Sequence, residues 1–385
     1  MQRERSTFSE TRHRLEAVLH NLRAATPQHK ACDIPDADLD LSRFEQLDGE
    51  RVPRAVITLR SVGCSWTRKS GGCTMCGHWE GAAIERIPDA DKLFSQFKDI
   101  FDKVDWQRIP VLCLYNGGSV LNSEELPDSA FERIVDTIAA EPGIRMVAFE
   151  SRAEFINEAR LTKLKEKLAP RYIRIAMGLE TANDDVRQLC IHKGSSMSFF
   201  KTACERINRY ATLRLYVLIK PPWLTEHEMI DDAVAAIKLA NELGAVDVHF
   251  EPVTIQRYTL VNMLWRQDLY RLPWLWSLLE VLKRVAPSPV YVSPFAHYPR
   301  PIAIPHNCGK CDETVLQTIF NDYNRHHDIS VFDSLTCECQ STWQDELKIQ
   351  DKRSFEARVI SDLPLLEKQL QEDMERAHPI DPLTY

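Results

Sequence analysis

The 385-residue sequence lacks any apolar run approaching the roughly 18–20 residues that span a bilayer, and its N-terminus lacks the apolar core of a secretory signal. These absences predict a soluble, cytoplasmic protein with no membrane partner. Positive charge is not in excess: 48 Lys and Arg stand against 56 Asp and Glu, for a formal net charge of −8. This balance excludes a broadly basic nucleic-acid-binding surface while leaving room for a local basic channel. The Arg-rich stretch 1–30 is interrupted by Glu4, Glu10 and Glu16, which argues against an organelle transit peptide. It reads instead as an amphipathic helix with Leu15, Val18, Leu19 and Leu22 on one face. There is no internal repeat and no stretch polar enough to be wholly disordered, and 44% hydrophobic with 27% charged residues is a globular composition.

What is present is a β-α recurrence. Short apolar or β-branched runs predict strands at Arg54–Leu59, Val111–Tyr115, Met146–Glu150, Ile173–Leu179, Arg214–Ile219 and Val246–Phe250. Amphipathic stretches at Ala90–Val104, Glu124–Ala140, Ala153–Leu168 and Glu226–Leu243 predict helices between them. Six such units fit a parallel sheet, doubly wound or curled into part or all of a barrel. Polar residues recur at the strand ends: the loop after Leu59, then Asn116, Glu150 with Arg152, Glu180, Lys220 and Glu251. Polar groups converging at the carboxyl ends of parallel strands are what an α/β active site requires. After about residue 260 the alternation stops in a Trp- and Leu-rich helical stretch, a Pro-rich segment, and a charged helix over Ser354–Ala377. The expected division is an N-terminal helical extension over 1–50, a core over 51–260 and a C-terminal extension over 261–385.

Seven of the eleven cysteines fall into two groups, and without a secretory signal such groups point to metal ligation rather than disulfides. In the first, Cys64 is followed after eight residues by Cys73 and after two more by Cys76, with glycines 63, 71, 72 and 77 between and around them. Three thiolates leave one iron of a cubane open to a substrate or cofactor, whereas structural zinc demands four ligands. His78 offers itself as that fourth, so a zinc site of three cysteines and one histidine is the alternative. In the second group, the pairs Cys308/Cys311 and Cys337/Cys339 are 25 residues apart. Four thiolates make a closed site, for Zn2+ or an auxiliary iron–sulfur cluster; unligated buried cysteines are the third reading. Of the rest, Cys113, Cys190 and Cys204 read as buried small residues, and Cys32 lies near the start.

The cysteine loop together with the N-G-G-S of Asn116–Ser119, the E-S-R of Glu150–Arg152, the G-L-E-T of Gly178–Thr181 and the K-P-P of Lys220–Pro222 resembles the radical S-adenosylmethionine (SAM) superfamily. Within it the sequence resembles the archaeosine-synthase radical SAM subunit family, related to the radical domain of the Elongator catalytic subunit, over about residues 55 to 345. The resemblance implies a partial or full TIM-like (β/α) barrel of the radical SAM type with a small C-terminal four-cysteine metal-binding module. It implies a [4Fe-4S] cluster on Cys64, Cys73 and Cys76, and S-adenosyl-L-methionine cleaved reductively to a 5′-deoxyadenosyl radical. Asn116, Gly117, Gly118, Glu150, Arg152, Glu180 and Lys220 are then the cofactor-binding candidates, with Glu251, Gln256 and Arg257 toward the substrate. Implied partners are a one-electron reductant such as ferredoxin or flavodoxin, tRNA carrying a lysine-bearing deazaguanine, and an enzyme that attaches the lysine. Two departures stand out: the first gap is eight residues rather than three, and Met75 precedes the last cysteine where an aromatic residue often packs near the adenine. Trp66, His78 and Trp79 are the rings available instead. The competing function is a noncatalytic iron–sulfur or zinc protein in electron transfer or nucleic-acid binding.

Overall fold

Apolar runs of five to nine residues are too short to stand alone and satisfy their backbone groups by pairing with one another, which here happens in chain order. The computed structural model describes residues 2–26, 37–82, 89–295, 299–349 and 351–375, and the side chains within them apart from those of residues 2–6 and 374. The chain runs through α1 (Gln2–Ala24), β1 (Asp38–Leu47), β2 (Glu50–Thr58), α2 (Ser65–Ser70), α3 (Ala90–Phe101), β3 (Val111–Tyr115), α4 (Asp128–Ala140), β4 (Met146–Glu150) and α5 (Glu158–Leu168). It continues with β5 (Tyr172–Glu180), α6 (Met197–Asn208), β6 (Thr212–Ile219), α7 (Glu226–Glu242), β7 (Ala245–Pro252), α8 (Leu260–Arg266), α9 (Leu275–Val285) and β8 (Val290–Val292). The C-terminal part holds α10 (Asp312–Gln317), a π-turn (Thr318–Tyr323), α11 (Asn324–His326), α12 (Cys339–Lys348) and α13 (Phe355–Glu375).

The strands form one eight-stranded sheet in the order β1 to β8, with β1 antiparallel to β2 and every later pair parallel. Among the described residues β8 does not pair back to β1, so the barrel is partial. All six expected strands are present. The sheet gains β1 and β8 from outside the expected core, and neither has a readable pattern: DLDLSRFEQL breaks its apolar residues with Asp38, Asp40, Arg43 and Glu45, and β8 is three residues long. Cys32 lies outside the described residues, and Cys113, Cys190 and Cys204 are buried as expected. No described helix is long and apolar enough to cross a membrane.

Helix ends correct the sequence reading in three places. The stretch from Glu124 turns helical only at Asp128, because Glu125 is buried and committed to backbone amides of two other segments. Ala153–Leu168 divides into a 3-10 turn and α5, since the Asn157 side chain accepts from Arg160 N and caps a new helix. The Trp-rich stretch divides into α8 and α9 around Pro273, which disfavours helical geometry in the residue before it.

Strand alternation separates two interiors. The outward face of β2 to β8, including Ile57, Leu114, Phe149, Ile175, Leu215 and Phe250, packs under the helices in one continuous core joined by Leu15, Leu19 and Leu22 of α1. The concave face carries a small apolar set, Leu47, Val56, Val111, Cys113, Met146 and Ala148. Beside it lies a buried ion network. Arg214 of β6 donates to Asp247 of β7 (Nε–Oδ1 2.9 Å) and to both carboxylate oxygens of Glu45 on β1 (2.7 and 2.8 Å). Arg174 of β5 reaches Glu45 (2.8 Å) and Asp247 (3.0 Å), and Arg54 of β2 reaches Glu45 (2.8 Å). A β1 carboxylate bonded to β6 means that the sheet curls enough to bring non-adjacent strands together across its concave face.

Candidate active site

Above this network the carboxyl ends of the strands surround a cavity of about 790 Å3, lined among others by Cys73, Cys76, His78, Asn116, Glu150 and Glu251. Its rim is the loop after β2. Cys64 is the N-cap residue of α2, which ends at Gly71 (φ 74°), followed by Gly72 (φ 83°); two successive left-handed residues turn the chain back to Cys73 and Cys76. A Cβ on Gly71 would lie 2.6 Å from Leu19 Cβ and 2.8 Å from the backbone nitrogen of His20, so glycine permits α1 to seat directly on the loop.

The loop is fixed by groups drawn from the rest of the chain. Glu125, fully buried, accepts from Ser65 N (2.9 Å) and Ser119 N (2.7 Å), tying the residue after Cys64 to the N-G-G-S turn. Thr74 binds the π-turn over Val186–Ile191 through Ile191 O (3.0 Å) and Cys190 O (2.7 Å). His192 Nδ1 lies 2.8 Å from Gly72 O, Gln256 Oε1 accepts from Gly77 N (2.8 Å), and Arg23 donates to the carbonyls of Gly71, Cys73 and Cys76.

The expected cofactor residues separate into two sets. Asn116, Gly117, Glu150 and Glu180 line the cavity with Cys73 and Cys76; Cys64, Gly118, Arg152 and Lys220 do not. Cys64, on the same loop but outside the cavity lining, sits beside Gly118, whose added Cβ would come 3.1 Å from Cys64 Cα. Arg152 pairs with Glu154, not Glu150, and donates to Lys193 O (2.7 Å) while stacking 5.4 Å over Trp66. Lys220, in a left-handed conformation (φ 67°), turns away from the strand-end cluster to a buried ion pair with Glu226 of α7. Glu180, also left-handed (φ 66°), lies at a bulge in β5 and pairs with Lys193. Of the rings offered for the adenine, His78 lines the cavity, whereas Trp66 is packed on His192, donating to its carbonyl (2.7 Å).

The cavity is electrostatically uneven. Burial pushes the Cys64 thiol up to about 11 and also raises Cys73. Burial acts the same way on Cys76, but His78, with Nδ1 3.5 Å from its sulfur, and Arg23 bring that thiol down to about 6. Burial likewise lifts Glu150 and Glu251 each to about 7, against opposing charge from His78 and Lys193 at Glu150 and a hydrogen bond from Ser293 at Glu251. Among the described residues the Asn116 Nδ2 amide is buried without a partner, while its Oδ1 accepts from Gly118 N (3.0 Å). A buried donor left unpaired at a cavity wall fits a site whose partner is a bound molecule.

Arg23, Glu125 and Lys193 were not singled out from the sequence. Arg23 alone had a local signal: it follows Leu19 by four residues and so shares the apolar stripe of α1.

The second cysteine group closes on itself. Cys308 and Cys337 sulfurs are 3.7 Å apart, as are those of Cys311 and Cys339, and all four lie within 4.8 Å of one another. Among the described residues this is the one group of three or more metal-ligating side chains so tightly drawn together. Trp276 Nε1 (3.2 Å, to Cys339) and Asn307 Nδ2 (3.3 Å, to Cys311) donate to two of the sulfurs. This group can hold a metal ion.

No family model matches the chain. A protein named archaeosine synthase subunit beta from Methanosarcina acetivorans is 28% identical over 312 residues, covering 79% of this chain and 88% of that protein. A protein of the same name from Thermococcus kodakarensis is 29% identical over 300 residues, 75% of this chain and 90% of its own. An uncharacterized protein of Methanocaldococcus jannaschii is 29% identical over 307 residues, 77% and 82% respectively. The motif resemblance to this family is borne out by these relatives. Among solved structures, Methanocaldococcus infernus Elp3 lacking its N-terminus aligns with a TM-score of 0.44 at 11% identity, over 62% of this chain and 59% of that one. Methylornithine synthase (PylB) aligns at 0.42 and 14%, over 61% and 62%. The chain thus spans less than two thirds of either structure.

Proposed function

We propose that this relative of the archaeosine synthase beta subunits is a cytoplasmic radical SAM enzyme that modifies a tRNA nucleobase in the archaeosine manner. The observation that carries the reading is the three-cysteine loop at the rim of a strand-end cavity whose wall presents an unpartnered Asn116 amide. The donor set fits a [4Fe-4S] cluster: three thiols on one glycine-turned loop, enough for three irons with the fourth left open. Cys64, Cys73 and Cys76 would hold it, and when bound with S-adenosylmethionine it supplies a 5′-deoxyadenosyl radical from one electron of a ferredoxin- or flavodoxin-type donor.

The residues of the chain do the positioning. Asn116 Nδ2 and the Gly117 backbone offer polar contacts to the methionine end of the cofactor, and Glu150 and Glu180 offer carboxylates to its amino group and ribose hydroxyls. Arg152 is a strut behind the loop. Glu251, half-buried on the β7 side with its carboxyl lifted to about 7, faces the substrate, and the buried ion network lies beneath the cavity. Two relatives are named archaeosine synthase subunit beta, which supports a partner subunit; tRNA as substrate and a lysine-attaching enzyme as that partner follow from the motif resemblance. Anaerobic reconstitution with dithionite and S-adenosylmethionine should yield 5′-deoxyadenosine; a loaded cluster with no such product would sink the radical reading. Mass spectrometry of tRNA from cells with and without the protein tests the substrate, and identical nucleoside profiles would reject it.

The second cysteine group is assigned to zinc. Four thiolates bound at about 2.3 Å to one tetrahedral ion stand about 3.8 Å apart, close to the 3.7 Å seen in both pairs. A cubane places each thiolate on a different iron and holds them further apart. Metal analysis of anaerobically purified protein should find about one zinc per chain, lost without loss of iron when Cys308 and Cys311 are replaced by Ser. Loss of iron with zinc unchanged would transfer the site to an auxiliary cluster.

A further inference from the structure

We propose that Arg23 of α1 is a positioning residue for the iron–sulfur group of the first cysteine loop, holding the loop's carbonyls in one fork and setting a fixed positive charge behind its sulfurs. The inference rests on the cluster assignment above.

The guanidinium spans four carbonyls contributed by two distant segments. Nε donates to Gly71 O (2.9 Å), Nη2 to Cys73 O (3.0 Å) and Cys76 O (2.9 Å), and Nη1 to Tyr258 O (2.7 Å). Two of these acceptors belong to ligand cysteines, so the fork fixes the backbone from which two sulfurs project. The side chain is 5% exposed, and among the described residues none of its hydrogen bonds goes to a carboxylate. A guanidinium buried among neutral acceptors is costly unless negative charge stands nearby. The sulfurs of the loop, as cluster thiolates, supply it.

Support for the fork comes from outside the loop. Leu15, Leu19 and Leu22 bury α1 in the outer core, Arg14 binds both oxygens of Glu367 on α13 (2.9 and 2.7 Å), and the absent side chain of Gly71 lets the helix backbone touch the loop. Arg23 therefore arrives on a rigid element. Outer-shell groups that orient ligands and set local charge tune both retention and potential of a metal centre. Because the reduced cluster carries one more negative charge, a nearby cation favours it.

Arg23→Gln and Arg23→Lys are to be compared with the wild type, each reconstituted anaerobically as the full chain, with Arg14→Ala as a control that loosens α1 without touching the loop. Iron release to a chelator and the cluster's midpoint potential by EPR-monitored titration are the readouts. Arg23→Gln is expected to release iron about 10- to 100-fold faster and to shift the potential to more negative values. Arg23→Lys keeps the charge but cannot fork over four carbonyls; its potential should stay near that of the wild type while its release is faster. Arg14→Ala should leave the potential unchanged. Wild-type retention and potential in Arg23→Gln would overturn the proposal. If that variant does not fold, wild-type retention in Arg23→Lys overturns it. Failure of the wild type itself to take up a cluster would refute the underlying assignment instead.

Discussion

Cys73→Ala protein, reconstituted anaerobically and given dithionite and S-adenosylmethionine, is expected to form no 5′-deoxyadenosine above a cluster-free control. The loss should exceed the roughly 10- to 100-fold typical of removing an outer-shell partner, because a direct ligand is gone. The fold should survive. The Cys73 backbone is held through its own carbonyl by Arg23, and the next residue, Thr74, is anchored twice to the π-turn, so the loop keeps its path when the sulfur is removed. Cys204→Ala is the matched comparison: that thiol is buried on α6 in the outer core, far in role from the cavity, and its removal should cost stability alone. Product formation by Cys73→Ala at the wild-type level would reject the ligand assignment.

The largest effect on stability is expected at Arg214. Replacing it by Met leaves Glu45 and Asp247, 5% and 7% exposed, without their principal cation. Breaking a buried ion pair from one side costs about 3–5 kcal/mol, since the remaining charge stays desolvated; urea denaturation at neutral pH measures it. A pH signature accompanies the loss. Burial raises Glu45, but Arg214, Arg54 and Arg174 outweigh it and hold the carboxyl down at about 2, below the ordinary 4.5. Asp247 is depressed too, against the same burial, chiefly by Arg214. A carboxylate whose folded pKa lies below its unfolded value contributes stability above the unfolded pKa and loses it as pH falls through the folded one. The wild type should therefore lose stability between about pH 5 and pH 2, with a shallower slope in Arg214→Met. Equal slopes in the two proteins would show that the network does not carry this linkage.

Legibility followed sequence distance. The strands from β2 to β7 were readable because their apolar runs are local and buried on both faces, and β3 and β4 match their expected bounds. β1 was not, because its charged residues do opposite jobs: Glu45 is buried against three arginines while Asp40 caps its own neighbours, Ser42 and Arg43. Strand-end polarity located Asn116, Glu150 and Glu180 at the cavity but misplaced Lys220, whose left-handed backbone and acidic neighbour Glu226 draw it outward.

The cysteine triplet with its glycines, and each pair of the second group, were determined by the sequence itself, since chelating residues a few positions apart on a turn stay close to one another. Tertiary structure alone brought Cys308/Cys311 and Cys337/Cys339 together, with all four sulfurs within 4.8 Å of one another. It alone also brought Arg23 and Glu125 to the loop from 48 and 60 residues away. Such contacts form only after the sheet has curled and α1 has docked, because the free energy that orders them comes from the shared core and not from any local propensity.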